Sequence, residues 1–280
     1  MDSALLEQID LLIENGLNED INTGDITTDL LISADIQTTA IMIAKADGVI
    51  AGLPVAEAVF RKLDSNIIFK AEVSDGDKVK HGDLICTITG TYRAILTGER
   101  LALNFLQRMS GIATETSNYT EAIKGFPTQI LDTRKTAPGL RLLDKYAVKA
   151  GGGTNHRIGL YDMVMIKDNH ISVAGSISKA VQAIRPNIPS SMKIEVETSN
   201  LDEVMEALNA GADIIMLDNM DNETMTRAVQ LIAGKAKTEA SGNMNLKRVK
   251  EVAATGVDYI SIGALTHSVL ALDISQKIKN

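Results

Sequence analysis

The sequence predicts an α/β protein in which an antiparallel α+β module precedes a parallel barrel. From Thr38 to Gly90, short β-prone segments are separated by Gly and Asp and interrupted by one helix, PVAEAVFRKLD, which favours an antiparallel sheet. Beyond Gly111, apolar segments alternate with helical segments about every 20 to 25 residues. Such alternation gives a parallel sheet, and so many units without a nucleotide-binding GxGxxG motif favour closure into a barrel.

The N-terminal half is predicted to begin with a short amphipathic helix over residues 3–15. Its apolar residues recur at helical spacing: Leu5, Leu6, Ile9, Leu12 and Ile13. The next segment, EDINTGDITTDLL, is rich in turn formers and predicts turns that cap a further short element. Pro54 suits the first position of the helix PVAEAVFRKLD.

A second helix of this half, ILTGERLALNFLQRMSGIAT, is apolar over most of its surface and is expected to be buried. Arg100 and Arg108 lie on it, and either could be a structural arginine paired with a carboxylate. The preceding EVSDGDKVKHGDLICTITG is similar to the turn-and-strand pattern of biotinyl and lipoyl carrier domains. The residues that follow, TGTYRAILTGER, lack the modifiable lysine that a carrier needs.

The second half contains six or seven predicted strands, fewer than a full eightfold barrel. The strand segments are QILD, MVMIKD, MKIEVET, ADIIMLDN, KTEASG and YISIGALTH. The predicted helices among them are SISKAVQAIR, LDEVMEALNAG, ETMTRAVQLIAG and LKRVKEVAATG. In such a barrel the loops that follow the strands share one face, and that face carries the active site.

Composition excludes several classes of protein. The 280 residues, 45% of them hydrophobic, can bury one sizeable core or two modest ones. A net charge of −8 and only 3% aromatic residues, with no Trp, argue against nucleic acid as a partner. The single cysteine, Cys86, can form neither an intramolecular disulfide nor a zinc site, so we expect a reducing cytoplasm. No secretion signal is expected, and no apolar run approaches the ~18 residues needed to span a membrane.

Positive charge is concentrated between Arg134 and Lys167, a window with seven Lys or Arg and only two Asp. A basic window in an acidic protein predicts a concave site for an anion. Arg141, Lys145 and Lys149 are spaced four apart, so a solvated helix face is the simpler interpretation for them. The remaining cations of the window follow or adjoin apolar strand segments, where α/β folds place their sites.

The strand ends carry three kinds of chemistry. Cations follow the early strands, acids the middle ones, and small residues the last two, where barrel enzymes commonly bind a phosphate on backbone amides. Glu195 and Glu197 are two apart on one strand and are predicted to point the same way. Glu197 and Asp218 together suit ribose hydroxyls or Mg²⁺, although both could instead neutralise buried cations. The sequence contains no zinc-ligand spacing, no serine elbow and no support for a catalytic triad.

Long segments of the chain, in order and spacing, resemble the family of nicotinate-nucleotide pyrophosphorylase (carboxylating), or quinolinate phosphoribosyltransferase. They are GERLALNFLQRMSGIAT, DTRKTAPGLRLLDKYAVKAGGGTNHRIGLYDMVMIKDNH, KIEVET, IIMLDN, EASGN and DYISIGALTHS. The resemblance implies an N-terminal open α/β sandwich, residues 1–110, and an incomplete α/β barrel of about seven strands, residues 111–267. The segment from about 268 to 280 would pack back on the first domain. The implied reaction joins quinolinate and phosphoribosyl pyrophosphate, with Mg²⁺, to give nicotinate mononucleotide, pyrophosphate and CO₂ in de novo NAD synthesis.

The resemblance also implies a role for each matching residue. Residues matched to the quinolinate carboxylates are Arg134, Lys135, His156 and Arg157, with Arg100 supplied by the partner subunit of a head-to-tail homodimer that could assemble further. Thr136 is counted among the substrate-binding residues. The implied catalytic residues are Lys135, Lys167, Glu197 and Asp218, of which Glu197 and Asp218 are also possible Mg²⁺ ligands. The residues matched to the 5′-phosphate cradle are Ser241, Gly242, Asn243, Ile262, Gly263 and Ala264. Many members have Gly where this chain has Asn243.

Other interpretations stay open from the residues alone. The chain could transfer phosphoribosyl to another acidic base or to nicotinate itself. It could be a barrel lyase in which Lys167 forms a Schiff base. A non-enzymatic binding module would leave three complementary subsites without a purpose.

Overall fold

The computed structural model describes residues 3–279, with side chains from residue 6 onward. The strands in this part of the chain are β1 (Gln37–Ala44), β2 (Gly48–Val49), β3 (Ile68–Ala71), β4 (Lys78–Val79), β5 (Leu84–Thr91), β6 (Gln129–Leu131), β7 (Val164–Ile166), β8 (Ile194–Thr198), β9 (Ile214–Asp218), β10 (Lys237–Ser241), β11 (Tyr259–Ser261) and β12 (Ile274–Ile278). The helices are α1 (Ser3–Ile21), α2 (Ile26–Leu31), α3 (Leu53–Leu63), α4 (Tyr92–Ala122), α5 (Arg141–Ala150), α6 (Asp168–Ala174), α7 (Ile177–Ile184), α8 (Leu201–Ala210), α9 (Asn222–Ile232), α10 (Val249–Ala254) and α11 (Ala264–His267), with a 3₁₀ turn at Arg185–Asn187. None of these helices is long and apolar enough to cross a membrane.

The chain divides into two compact units. The first unit comprises the residues up to Ser117, Thr136–Gly152 and the segment from Leu265 onward, and the second comprises Asn118–Lys135 and Gly153–Ala264. Each unit has its own sheet. The domain limits that the sequence predicts, 1–110 and 111–267, stay predictions.

The first unit is built on an antiparallel sheet, as the sequence predicts, with strand order β12-β1-β5-β3. Alternate residues of β1 are buried, namely Ala40, Met42 and Ala44, because successive side chains of a strand point to opposite faces. β12, near the end of the chain, pairs antiparallel with β1, with Ala44 opposite Ile274.

Helix α1 is longer than predicted and ends at Ile21, inside the start of the EDINTGDITTDLL segment, for which turns were predicted. Ile9, Ile13 and Leu17 are all buried, so the apolar stripe at a spacing of four extends past the predicted end at residue 15. α2 is the short capped element that the sequence predicts, because the Asp25 side chain accepts a hydrogen bond from the Thr28 N–H.

Helix α4 contains both of the arginines singled out in the sequence, and they differ in environment. Arg108 donates from Nε and Nη2 to the two carboxylate oxygens of Asp144, which is fully buried, at 3.0 and 2.8 Å. Arg108 is therefore a structural arginine. Arg100 is exposed, and no partner for it is found within the described chain. The solvated-face interpretation is wrong for Lys145, which is 2% exposed because α5 packs with that face inward.

The second unit is a parallel sheet with strand order β6-β11-β10-β9-β8-β7. The six strand segments predicted from the sequence are all confirmed, and Thr154 adds an isolated parallel bridge to Leu131 on the far side of β6. β6 and β7 are the two ends of the strand order. The mixed α/β fold class is thus confirmed, with this open order corresponding to the predicted incomplete barrel.

Strand register determines which side chains meet. Glu197 is aligned with Met216, which is aligned with Glu239, and Asp218 is aligned with Ser241. Aligned residues of parallel strands, and residues two apart on one strand, share a face of the sheet. These side chains therefore point the same way near the carboxyl ends of their strands.

Candidate active site

A pocket of about 370 Å³ opens at the carboxyl ends of the strands in the second unit. Its lining includes eight of the predicted site residues: Arg134, Lys135, His156, Arg157, Lys167, Glu197, Asp218 and Ser241. The lining also includes five residues outside the predicted set: Thr133, Met165, Met216, Glu239 and Ser261. The lining contains a cationic group, Arg134, Lys135 and Arg157 (the cationic side), and an acidic group, Glu197 and Asp218 (the acidic side), so a ligand bound there meets both charges.

The remaining predicted residues lie elsewhere. Gly242 and Asn243 directly follow β10, and Ile262, Gly263 and Ala264 directly follow β11, at the same edge of the sheet. The Ile262 N–H donates to the Leu131 carbonyl, 2.9 Å away. Arg100 and Thr136 belong to the first unit, where the Thr136 hydroxyl accepts a hydrogen bond of 3.1 Å from Arg141 Nε.

The cationic side of the pocket brings like charges together. Arg134 and Lys135 are exposed, whereas Arg157 is half-buried and its Nη1 donates to the Met163 carbonyl at 3.0 Å. Burial, and next the positive charge of Arg134, lower the pKa of Arg157 below its ordinary value. A bound anion would relieve that repulsion, so the arrangement favours a negatively charged ligand.

The acidic side is held by neighbouring polar groups. Lys167 Nζ forms an ion pair with Glu197, and Asn219 Nδ2 donates to Asp218 Oδ2 at 2.7 Å. The Lys167 backbone N–H donates to His170 Nδ1 at 2.9 Å, where α6 begins directly after β7. The sequence analysis treated this segment as a loop and did not predict α6. The helix fixes the backbone from which Lys167 extends.

His156 and two glutamates form a buried cluster beside the pocket. His156 Nε2 lies 3.0 Å from Glu195 Oε2 and 3.3 Å from Glu239 Oε2, and both glutamates are fully buried. The His156 backbone N–H donates to Asp132 Oδ1 at 2.8 Å, so the end of β6 positions this loop. His156 thereby gives Glu195 the partner that a buried carboxylate requires.

Two buried carboxylates face one imidazole nitrogen in this cluster. The donor atoms of His156, Glu195 and Glu239 lie within 4.8 Å of one another, a spacing that could hold an ion. The Arg157 N–H donates to His156 Nδ1 at 2.8 Å, so Nε2 is the ring nitrogen that faces the two carboxylates. Burial lowers the pKa of His156, and the two carboxylates raise it by more. Burial, reinforced by the Glu239 charge, raises the pKa of Glu195 to about 7, which favours a second proton held on the carboxyl pair.

The loops after β9 and β10 face each other in a strained conformation. Asn219, Gly242 and Asn243 have positive φ values of 54°, 95° and 52°. A Cβ on Gly242 would lie 2.1 Å from Asn219 Oδ1, so only glycine fits there. Asn243 adopts the left-handed conformation that asparagine tolerates better than most residues.

A second, acidic pocket of about 300 Å³ adjoins the first and shares Glu197 and Asp218 with it. Asp168 and Glu203 also line it, so it presents several carboxylate oxygens. Oxygen donors of this kind suit a hard divalent cation.

Glu239 lines the pocket, although the sequence placed it only at a strand end and predicted no role for it. It lies two residues before Ser241 on β10, so strand alternation places it on the pocket face with Ser241. That signal was present in the sequence. Its pairing with His156 was not, because it depends on the distance between β10 and the loop after Thr154.

Two family models match consecutive parts of the chain. The model described as "Quinolinate phosphoribosyl transferase, N-terminal domain" matches residues 25–110, and "Quinolinate phosphoribosyl transferase, C-terminal domain" matches residues 112–277. The chain is 48% identical over 273 residues to a probable nicotinate-nucleotide pyrophosphorylase [carboxylating] of Synechocystis, with 96% of this chain and 92% of the relative covered.

Solved structures of similar proteins share the whole fold. The chain superposes on the crystal structure of NadC from Streptococcus pyogenes with a TM-score of 0.94 and 43% identity, covering 97% of this chain and 96% of that one. It superposes equally well on the nicotinate-nucleotide pyrophosphorylase from Francisella tularensis, with a TM-score of 0.94 and 44% identity. That superposition covers 98% of this chain and 96% of the other.

Proposed function

Because the chain belongs to the quinolinate phosphoribosyl transferase family, we propose that its pocket transfers phosphoribosyl from phosphoribosyl pyrophosphate to quinolinate, with loss of CO₂. The products are nicotinate mononucleotide, pyrophosphate and CO₂, in de novo NAD synthesis. The observation that carries the proposal is the pairing of a crowded cationic side with an acidic side in one pocket.

The cationic side suits a small diacid. Arg134, Lys135 and Arg157 line the pocket together, and guanidinium groups can bind carboxylates through two parallel hydrogen bonds. His156 adjoins them, but its Nε2 faces the buried glutamates. We therefore assign His156 to holding the loop that carries Arg157, more than to direct contact with a substrate carboxylate.

The acidic side suits the reacting ribose. As pyrophosphate leaves, C1 of the ribose acquires oxocarbenium character, which the carboxylates of Glu197 and Asp218 stabilise. Lys135 and Lys167 are the cations for the negative charge on the leaving group. The pyridine nitrogen attacks C1 and becomes a pyridinium, whose positive charge stabilises the electron pair left on ring carbon C2 when the adjacent carboxylate leaves as CO₂. A proton from water then replaces the carboxylate at C2. No strong protein base is required for that step.

The 5′-phosphate is assigned to the loops after β10 and β11, at Ser241, Gly242, Asn243, Ile262, Gly263 and Ala264. Small residues and strained backbone leave amide N–H groups accessible to phosphate oxygens. Support comes from the close approach at Gly242, which a side chain would prevent.

Mg²⁺ is the proposed metal. Glu197 and Asp218 fit it, since both line the acidic pocket and offer hard oxygen donors. The bound ion would neutralise the charge of the pyrophosphate. Cys86 is the single cysteine of the chain, which agrees with a reducing, cytoplasmic location.

We also propose a homodimer in which Arg100 reaches the partner's pocket. Arg100 is exposed on α4 and has no partner within the described residues, as expected of a side chain whose ligand lies on another subunit. Subunits carrying Arg100→Ala and Lys135→Ala, each weakly active alone, should regain activity when mixed into heterodimers. Absence of recovery despite demonstrated subunit exchange would remove Arg100 from the shared site.

The deciding assay is release of CO₂ from carboxyl-labelled quinolinate. We expect release only when quinolinate and phosphoribosyl pyrophosphate are both present. Activity with nicotinate in place of quinolinate, without CO₂, would support a different phosphoribosyltransferase. Borohydride trapping of a carbonyl substrate on Lys167 would instead support a lyase.

A further inference from the structure

We propose that Asn243 is a positioning residue that orients the Asp218 carboxylate through Asn219, and that this relay increases the affinity for phosphoribosyl pyrophosphate. The inference rests on the proposed function and deepens it at the ribose end of the pocket. It concerns the position at which this chain has Asn and many resembling proteins have Gly.

The three side chains form a continuous chain of hydrogen bonds. Asn243 Nδ2 donates to Asn219 Oδ1 at 3.1 Å, and Asn219 Nδ2 donates to Asp218 Oδ2 at 2.7 Å. A carboxylate only accepts, so the amide nitrogen of Asn219 must face Asp218. Asn219 Oδ1 is then left to accept on its other side, and Asn243 Nδ2 donates to it.

The backbone around the relay is tied down independently. The Asn219 N–H donates to the Ser241 carbonyl at 2.9 Å, which joins the two loops. Arg248 donates to the carbonyls of Gly242, at 3.2 Å, and Met220, at 2.8 Å. The relay therefore spans two loops whose spacing is already set, so a change in one amide is not absorbed by movement of the backbone.

Each hydrogen bond of the relay has a donor and an acceptor, so a substitution that removes a donor at residue 243 can change the orientation of Asp218. Asp218 lines both the main pocket and the adjoining acidic pocket, so its orientation affects ligands in either. Asn243→Asp keeps the size of the side chain but removes its donors. Asn219 Oδ1 is the atom that faces residue 243, so the new carboxylate would repel it. If the Asn219 amide turns over to donate to that carboxylate, its oxygen faces Asp218 and the hydrogen bond to Asp218 is lost.

The test compares two substitutions at one position. Asn243→Asp should raise KM for phosphoribosyl pyrophosphate about tenfold, the size expected for a lost hydrogen bond to a charged group. Asn243→Gly leaves Asn219 free to keep facing Asp218, so the rise should be only about twofold to threefold. KM for quinolinate and the melting temperature should stay at wild-type values in both, which a general structural defect would not allow.

Asn22→Asp is the matched control, because Asn22 also has a positive φ, 45°, and lies in the first unit. It should leave both KM values unchanged. Calorimetric titration with phosphoribosyl pyrophosphate and Mg²⁺ measures affinity without turnover. The affinity should be highest for the wild type, lower for Asn243→Gly and lowest for Asn243→Asp.

The outcomes separate this inference from the proposed function. A wild type that neither releases CO₂ from quinolinate nor binds phosphoribosyl pyrophosphate overturns both. If the wild type is active but Asn243→Asp binds phosphoribosyl pyrophosphate as tightly as the wild type, the relay alone is overturned. The same holds if Asn243→Asp loses affinity equally for both substrates. An Asn243→Gly variant as impaired as Asn243→Asp would also overturn it, since the effect would then not depend on polarity.

Discussion

Arg108→Met tests whether one arginine neutralises a buried carboxylate. Asp144 is fully buried and accepts two hydrogen bonds from Arg108, with a third, of 3.3 Å, from the Ala137 N–H. Removing one partner of a buried ion pair costs about 3–5 kcal/mol. The Arg108 side chain is 27% exposed, so we expect the lower end, about 3 kcal/mol of unfolding free energy.

The pH dependence gives that prediction a direction. Burial raises the pKa of Asp144 and Arg108 opposes the rise, so without Arg108 the pKa rises further. A carboxyl whose folded-state pKa exceeds its unfolded value binds its proton more tightly when folded, so stability is highest in acid and is lost as pH rises through the folded-state pKa. The defect of Arg108→Met should therefore shrink as pH falls.

Urea denaturation of wild type and variant, at neutral pH and at about pH 5, measures both effects. Adding Asp144→Asn to Arg108→Met should recover most of the loss, because no charge then remains buried. Arg61→Ala is the control, since its ion pair with Glu57 is exposed and worth only about 0–1 kcal/mol. Equal losses in Arg61→Ala and Arg108→Met, or a defect independent of pH, would refute the reasoning.

Three further substitutions probe the second unit. Arg157→Lys should weaken quinolinate binding by about 1–3 kcal/mol, because an ammonium cannot form two parallel bonds, and an unchanged KM for quinolinate would contradict the assignment. His156→Ala leaves two buried carboxylates without their shared partner and should lower the unfolding free energy by about 3 kcal/mol in urea titrations; wild-type stability would argue against the cluster. Gly242→Ala should lower stability by about 1–3 kcal/mol in thermal melts, since its Cβ would meet Asn219 Oδ1 at 2.1 Å. Gly139→Ala, at a φ of 81° with no atom within 4 Å, separates the backbone cost from that contact.

Strand positions in the second half were predictable because fully buried parallel strands are short apolar segments bounded by polar residues. The six segments from QILD to YIS are all strands in the structure. The carboxyl ends of parallel strands meet at one edge, so the residues that follow them could be assigned to one site before any distance was known. Lys167, Glu197 and Asp218 line one pocket for this reason.

Helix lengths and burial were less predictable. The extension of α1 depends on Leu17, whose burial requires the unit it packs against, and local turn formers pointed the other way. Lys145 has the spacing of a solvated face and is nevertheless buried, because the orientation of α5 is determined by tertiary packing. Periodicity identifies the faces of a helix but not which polar face the rest of the protein covers.

The sequence by itself determined the fold class, the positions of the parallel strands and most of the charged residues that line the pocket, because these follow from local periodicity and from the geometry shared by all parallel sheets. Only the tertiary structure decided which of those charges pair. The contacts of His156 with Glu195 and Glu239, and the relay from Asn243 to Asp218, depend on strand register and on left-handed backbone at specific residues. Both are distances of a few ångströms between segments far apart in the chain, and no local pattern encodes them.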